Sequence, residues 1–255
     1  MRTGLCCGED RFALAASYGV KYAEPAINRL REYDTAALRR VKELADSAGM
    51  PIEGFNCFFG GGISLYRDSI ESVISYCETN FRVAGFLGAS YCVIGAGSAR
   101  SVPSDVERAR GEERFMLICD KMATSAAEHG ISIYIEPLNR SETNLINTLP
   151  EGLAFCRALG NKNVGCLLDF YHFYREGEDL AELDDVRKGE LRHIHIARPN
   201  RDRRAPRRED AGVLTLWADK LRRVGYDGRI SLECSWGDDY PAELAQAMEI
   251  MKLFD

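Results

Sequence analysis

The sequence predicts an α/β chain folded as a single (β/α)8 TIM barrel over residues 1–255, and three observations predict it. Short apolar, β-rich runs alternate with longer helical patterns from end to end, as parallel strands joined by helices require. Eight such units fit in 255 residues, the usual size of this barrel. No Pro/Ser-rich linker or change of composition divides the chain.

The strands are expected at Thr3–Gly8, Lys21–Pro25, Ile52–Phe59, Tyr91–Gly97, Ile131–Leu138, Val164–Phe170, Leu191–Ala197 and Arg229–Cys234. Helices are expected at Thr35–Ala48, Ser69–Leu87, Gly111–His129, Pro150–Leu159, Leu216–Val224 and Pro241–Leu253. In the first of these, Leu38, Val41, Leu44 and Ala45 fall on one face and charged residues elsewhere, and Gly49 then Pro51 end it. An open doubly wound sheet is the alternative, but a dinucleotide turn would want GxGxxG after the first strand. The nearest approach is Gly95-Ala96-Gly97-Ser98 after the fourth, which reads better as a permissive turn.

With 33 Lys+Arg against 39 Asp+Glu the chain carries a net charge of −6, so no broad positive field invites nucleic acid. No apolar run has the length of a signal peptide or a membrane span, and a cytoplasmic protein without membrane partners is expected. The nine cysteines include no CxxC pair, which argues against a disulfide framework and a zinc knuckle.

Alternation along the later strands selects the residues that carry chemistry. In the fifth strand Ile131, Ile133 and Ile135 take one face, leaving Ser132, Tyr134 and Glu136 to point inward. In the sixth, Leu167 and Asp169 point inward; in the seventh, Leu191, His193 and His195; in the eighth, Arg229, Ser231 and Glu233. Four consecutive strands therefore end in Glu136, Asp169, His195 and Glu233, at separations of 33, 26 and 38 residues, each about one βα unit. Neighbouring strands lie ~4.8 Å apart, so the four side chains can converge on one ion at the barrel end where such enzymes work. Three carboxylates and an imidazole suit a fairly hard divalent metal such as Mn2+, Mg2+ or Co2+. His193 reads as a packed core histidine, His129 as a helix cap, and Glu24 as a residue that could reach a substrate from the opposite wall. Gly60-Gly61-Gly62 reads as a lid hinge or a plain loop, with Phe58, Phe59 and Tyr66 as an apolar wall or rim packing.

The segments Ile135-Glu136-Pro137-Leu138-Asn139-Arg140-Ser141-Glu142, Leu168-Asp169-Phe170-Tyr171-His172, His193 through Arg201, and Ser231-Leu232-Glu233 resemble the xylose-isomerase-like barrels. The nearest branch is that of D-tagatose/D-psicose 3-epimerases, hydroxypyruvate isomerases and inosose isomerases. The resemblance implies one divalent ion, Mn2+ in first place, on Glu136, Asp169, His195 and Glu233. It also implies substrate contacts from Glu142, His172 and Arg201. The implied activity is isomerisation or epimerisation of a ketose or related keto-polyol, with Glu136 and Glu233 as the acid/base pair and a homodimer or homotetramer as the assembly. A lyase or dehydratase acting on an inosose or oxidised sugar, and a sugar-binding barrel without turnover, are the alternatives. The sequence departs from the family after the seventh strand, where Arg198 to Asp210 holds six arginines in 13 residues. That run is expected either to grip an anionic substrate group or to form a solvated rim or subunit contact.

Overall fold

The computed structural model describes residues 1–199 and 202–255, and Asn200 and Arg201 lie outside the described residues. Seven parallel strands form one curled sheet: β1 Arg2–Leu5, β2 Gly54–Phe55, β3 Tyr91–Ile94, β4 Ser132–Ile135, β5 Val164–Asp169, β6 Leu191–Ile196 and β7 Arg229–Leu232. Their order is β1-β7-β6-β5-β4-β3-β2. The segment expected as the second strand fills the remaining place between β1 and β2. Leu5 N–H donates to the Tyr22 carbonyl, Glu24 N–H to Leu5 and Ala23 N–H to Pro51, so the segment bonds to both neighbours. It stops short of a regular strand at Pro25, which has no N–H to give the ladder. The expected third strand shrinks to two residues, and Cys57 in its former span has φ +48°, a left-handed conformation incompatible with a continuing strand.

The helix at Thr35–Ala48 has the expected bounds because both ends are built in. The Asp34 side chain accepts from Ala37 N–H at 2.8 Å, and Gly49 leaves the helix at φ +62°. Leu38, Val41 and Ala45 of this helix are buried, whereas Leu44, expected beside them, is 44% exposed. The other long helices run Ile70–Phe86, Arg108–Glu128, Leu149–Leu159, Ala211–Arg223 and Tyr240–Met251. His129 is the C-cap of the Arg108–Glu128 helix, with Nε2 2.6 Å from Glu78.

Most apolar side chains, including the outward isoleucines of β4, pack in the layer between strands and helices. A separate small cluster of Tyr91, Val93, Tyr134 and Leu167 fills the barrel interior, as the inward parity of Tyr134 and Leu167 requires. Phe58, Phe59 and Tyr76 pack against one another, and Phe58 also meets Phe81. Phe58 and Phe59 are thus packed in the hydrophobic core. Gly60 is tied to Tyr76 Oη through its N–H at 2.8 Å. Among the described residues, no helix is long and apolar enough to cross a membrane.

Candidate metal centre

β4, β5, β6 and β7 deliver one side chain each to the same end of the barrel. Asp169 pairs in register with His195, and His195 with Ser231. Glu136 and Glu233 follow the last residues of β4 and β7, yet their N–H groups still donate to Ile94 and Ile196 of the neighbouring strands. One ligand atom from each of Glu136, Asp169, His195 and Glu233 lies within 4.8 Å of the others. Glu136, Asp169 and His195 are buried. Such a concentration of buried carboxylates is costly unless cations compensate it.

His195 is oriented from below. Its Nε2 donates to Glu24 Oε1 at 2.7 Å, and His193 Nε2 donates to the other oxygen, Oε2, at 2.8 Å. Ser231 and Tyr91 hydroxyls donate to the same Glu24 oxygen at 2.7 and 2.9 Å. A carboxylate can only accept, so the imidazole atom left for the upper site is Nδ1. It lies 3.0 Å from Glu233 Oε2 and 3.4 Å from Glu136 Oε1. Glu24, expected as a residue that could reach a substrate from the opposite wall, is buried beneath the site with both carboxylate oxygens bonded to imidazoles, and it also lines the cleft beside Glu233. His193 is the buried, hydrogen-bonded core histidine expected.

His195 Nδ1 and Glu136 Oε1 are buried without a hydrogen-bond partner, and both belong to the converging set. Orphaned polar atoms aimed at one another, on three carboxylates and an imidazole, fit a divalent cation. A second set, Cys6, Glu24 and His195, shares a member with the first, and its Glu24 is already committed to both imidazoles.

Burial and the neighbouring Glu233 push the Glu136 carboxyl up to about 7, against the pull of His195. Burial works the same way on Glu233, but the Arg203 guanidinium and then His195 outweigh it and hold that carboxyl well below the ordinary range. Burial and charged neighbours thus shift the two carboxyls in opposite directions. For His195, burial is outweighed by Glu24 and then Glu233, which hold the imidazole well above its ordinary range.

The residues implied as substrate contacts gather beside this cluster. The helix Phe170–Glu176 starts directly from β5, capped by Asp169, whose Oδ1 accepts from Tyr171 N–H at 2.8 Å. Its first turn carries His172, with Nε2 3.5 Å from Asp169 Oδ2. His172 Nδ1 accepts from Asn139 N–H at 3.2 Å, and Asn139 Nδ2 donates to Glu142 at 2.9 Å. Burial, reinforced by Arg203, pushes His172 down to about 3, so it is a neutral hydrogen-bonding group. Arg201 falls outside the described residues. Arg203, two positions on, reaches the cluster: Nη2 donates to Asp169 Oδ2 at 3.0 Å and to Glu233. Arg198 and Arg204 of the same run are spent on ion pairs with Glu209, Asp210 and Glu243 at the rim.

Three supports of the site are not legible in the sequence. Arg100 is fully buried and donates to the carbonyls of Ile94 at 3.2 Å and Glu136 at 3.0 Å, fixing the backbone that carries Glu136. Gly95 leaves room for the Glu136 side chain, since a Cβ there would clash with Glu136 Oε2. Asn139 joins His172 to Glu142, and its only signal was its place in the segment that carries Glu136. A cleft of about 430 Å³ opens beside Glu233, between Cys6, Asn56, Cys57 and Trp236.

The family model described as xylose isomerase-like TIM barrel matches residues 12–254. A D-psicose 3-epimerase of Agrobacterium fabrum is 32% identical over 231 residues, covering 86% of this chain and 76% of that protein. A putative hydroxypyruvate isomerase of Streptomyces coelicolor is 27% identical over 82% of this chain and 78% of that protein. The match to a ketose 3-epimerase of Arthrobacter globiformis, 32% identical, spans 44% of this chain but only 38% of that protein. Among solved structures, a D-psicose 3-epimerase in the presence of D-fructose superposes with a TM-score of 0.84 at 20% identity. That match covers 99% of this chain and 97% of that one, a likeness of fold.

Proposed function

Because the chain belongs to the xylose isomerase-like TIM barrel family, and is an enzyme of its sugar isomerase/epimerase type, we propose that it moves a proton beside the carbonyl of a ketose or keto-polyol. The observation that carries the proposal is the convergence of Glu136, Asp169, His195 and Glu233 within 4.8 Å at one barrel end. These four would hold one divalent ion, with Mn2+ first and Mg2+ or Co2+ as alternatives. When bound, such an ion supplies electrostatic stabilisation of negative charge developing on substrate oxygens.

The rest of the chemistry falls to the chain's own residues. Glu136 and Glu233 come from the two outer strands of the set and flank Asp169 and His195. One takes the proton from the carbon beside the carbonyl and the other supplies one. Return to the opposite face of the same carbon is epimerisation, and transfer to the neighbouring carbon, with the hydroxyl proton passing to the former carbonyl oxygen, is isomerisation. His172, kept neutral, and Glu142, steadied by Asn139, offer hydrogen bonds to substrate oxygens. Arg201 is proposed as a further substrate contact on the resemblance alone.

The test is solvent-deuterium uptake into D-psicose, D-fructose and hydroxypyruvate by the Mn2+-loaded protein. Glu136→Gln and Glu233→Gln should each lower uptake by roughly 10²–10⁴-fold. Uptake at the wild-type rate in both variants would remove the assignment. A dehydrated product in place of exchange would move the reading to a lyase.

A further inference from the structure

Arg203 occupies an unusual place for a surface-loop residue. Its backbone has φ +52°, a left-handed conformation uncommon for a residue with a side chain. The loop is locked into that turn on both sides. Ser235 N–H donates to the Arg203 carbonyl at 2.7 Å, Arg198 N–H donates to the Arg204 carbonyl at 3.0 Å, and Arg204 pairs with Glu243 at 3.0 Å. The turn sends the guanidinium inward, over the Tyr171 ring at 4.8 Å.

There Nη2 bonds Asp169 Oδ2 and Glu233 Oε2, two of the four converging carboxylate and imidazole groups. Nη1 lies 3.4 Å from His172 Nε2 and 3.9 Å from Glu142 Oε1. A planar fork donor is well matched to carboxylate lone pairs. Those are the lone pairs a metal ion would need, and a guanidinium and a divalent cation repel at that separation.

Resting on the metal-site reading above, we propose that Arg203 is a competing cation built into the loop: its guanidinium and a divalent ion exclude each other at Asp169 and Glu233, so that metal loading requires the side chain to withdraw. The arginine neutralises a buried acidic cluster that would otherwise repel itself, and the metal-free fold gains by it. The same contact weakens metal binding, because each loading event must break the Arg203 bonds. The two effects are one coupling read from opposite sides.

Titration of Mn2+ into the metal-free full chain, with free ion followed by its electron paramagnetic resonance signal, tests this without any turnover. Arg203→Gln should bind Mn2+ about tenfold more tightly than wild type, within the usual range of such couplings, and its metal-free form should melt at a lower temperature. Arg203→Lys keeps the charge but not the fork, and should gain by a smaller factor; it carries the test if Arg203→Gln does not fold. Arg204→Gln, whose side chain pairs with Glu243 and not with the cluster, should bind as wild type does. Equal Mn2+ affinity in wild type and the Arg203 variants overturns the proposal while leaving the metal site standing. An equal gain in Arg204→Gln also overturns it, since general charge rather than contact would then be responsible. No Mn2+ binding in any of these proteins removes the metal site itself and this inference with it.

Discussion

Gly95 shows how a single residue can matter for a side chain 41 positions away. A Cβ at this position would clash with Glu136 Oε2, so the carboxylate would have to turn aside. Gly95→Ala should therefore keep the fold, with a melting temperature within a few degrees of wild type, and lower deuterium uptake by roughly 10²-fold, the effect of a displaced reacting group. Wild-type uptake in this variant would show that Glu136 tolerates displacement. The sequence offered Gly95 only as part of a permissive turn, because the reason for it lies across the sheet. Glu24 and Arg203 were hidden in the same way. Parity could not show that two imidazoles bond Glu24 from β6, and nothing in a run of six arginines says which one turns inward. By contrast, Glu136, Asp169 and His195 were legible because each occupies an inward position at a strand end, and there alternation fixes direction.

At the scale of elements, the helices that were legible carry their own boundaries, as Asp34 and Gly49 do for Thr35–Ala48. The helix Phe170–Glu176 was not, since seven residues make too few turns for an apolar period and its cap, Asp169, is also the last residue of β5. Just beyond it, Glu178 accepts from Leu149 N–H at 2.7 Å, tying this segment to the start of the Leu149–Leu159 helix. Burial pushes the Glu178 carboxyl up to about 8, with the Leu149 N–H opposing and Glu182 adding to the rise. A carboxyl raised from 4.5 binds its proton more tightly in the folded chain. Its contribution to stability is thus full below about pH 4.5 and lost as the pH rises through about 8. Glu178→Gln should flatten the decline in melting temperature between pH 5 and 8 relative to wild type. Parallel curves for the two proteins would show that Glu178 titrates normally.

For the molecule as a whole, the barrel was legible from its rhythm of units, and the second half more sharply than the first. β4 to β7 are regular and alternate cleanly. The expected second strand is cut off at Pro25 and the third at the left-handed Cys57, so only short bridges and two residues of β2 close that side. The four converging side chains all come from the regular half. That convergence is the centre of the account, and metal stoichiometry tests it most directly. Protein reconstituted with Mn2+ and freed of excess ion should contain one ion per chain by elemental analysis, with weakened retention in both Asp169→Asn and Glu233→Gln. No retained ion, or retention indifferent to both substitutions, would contradict it.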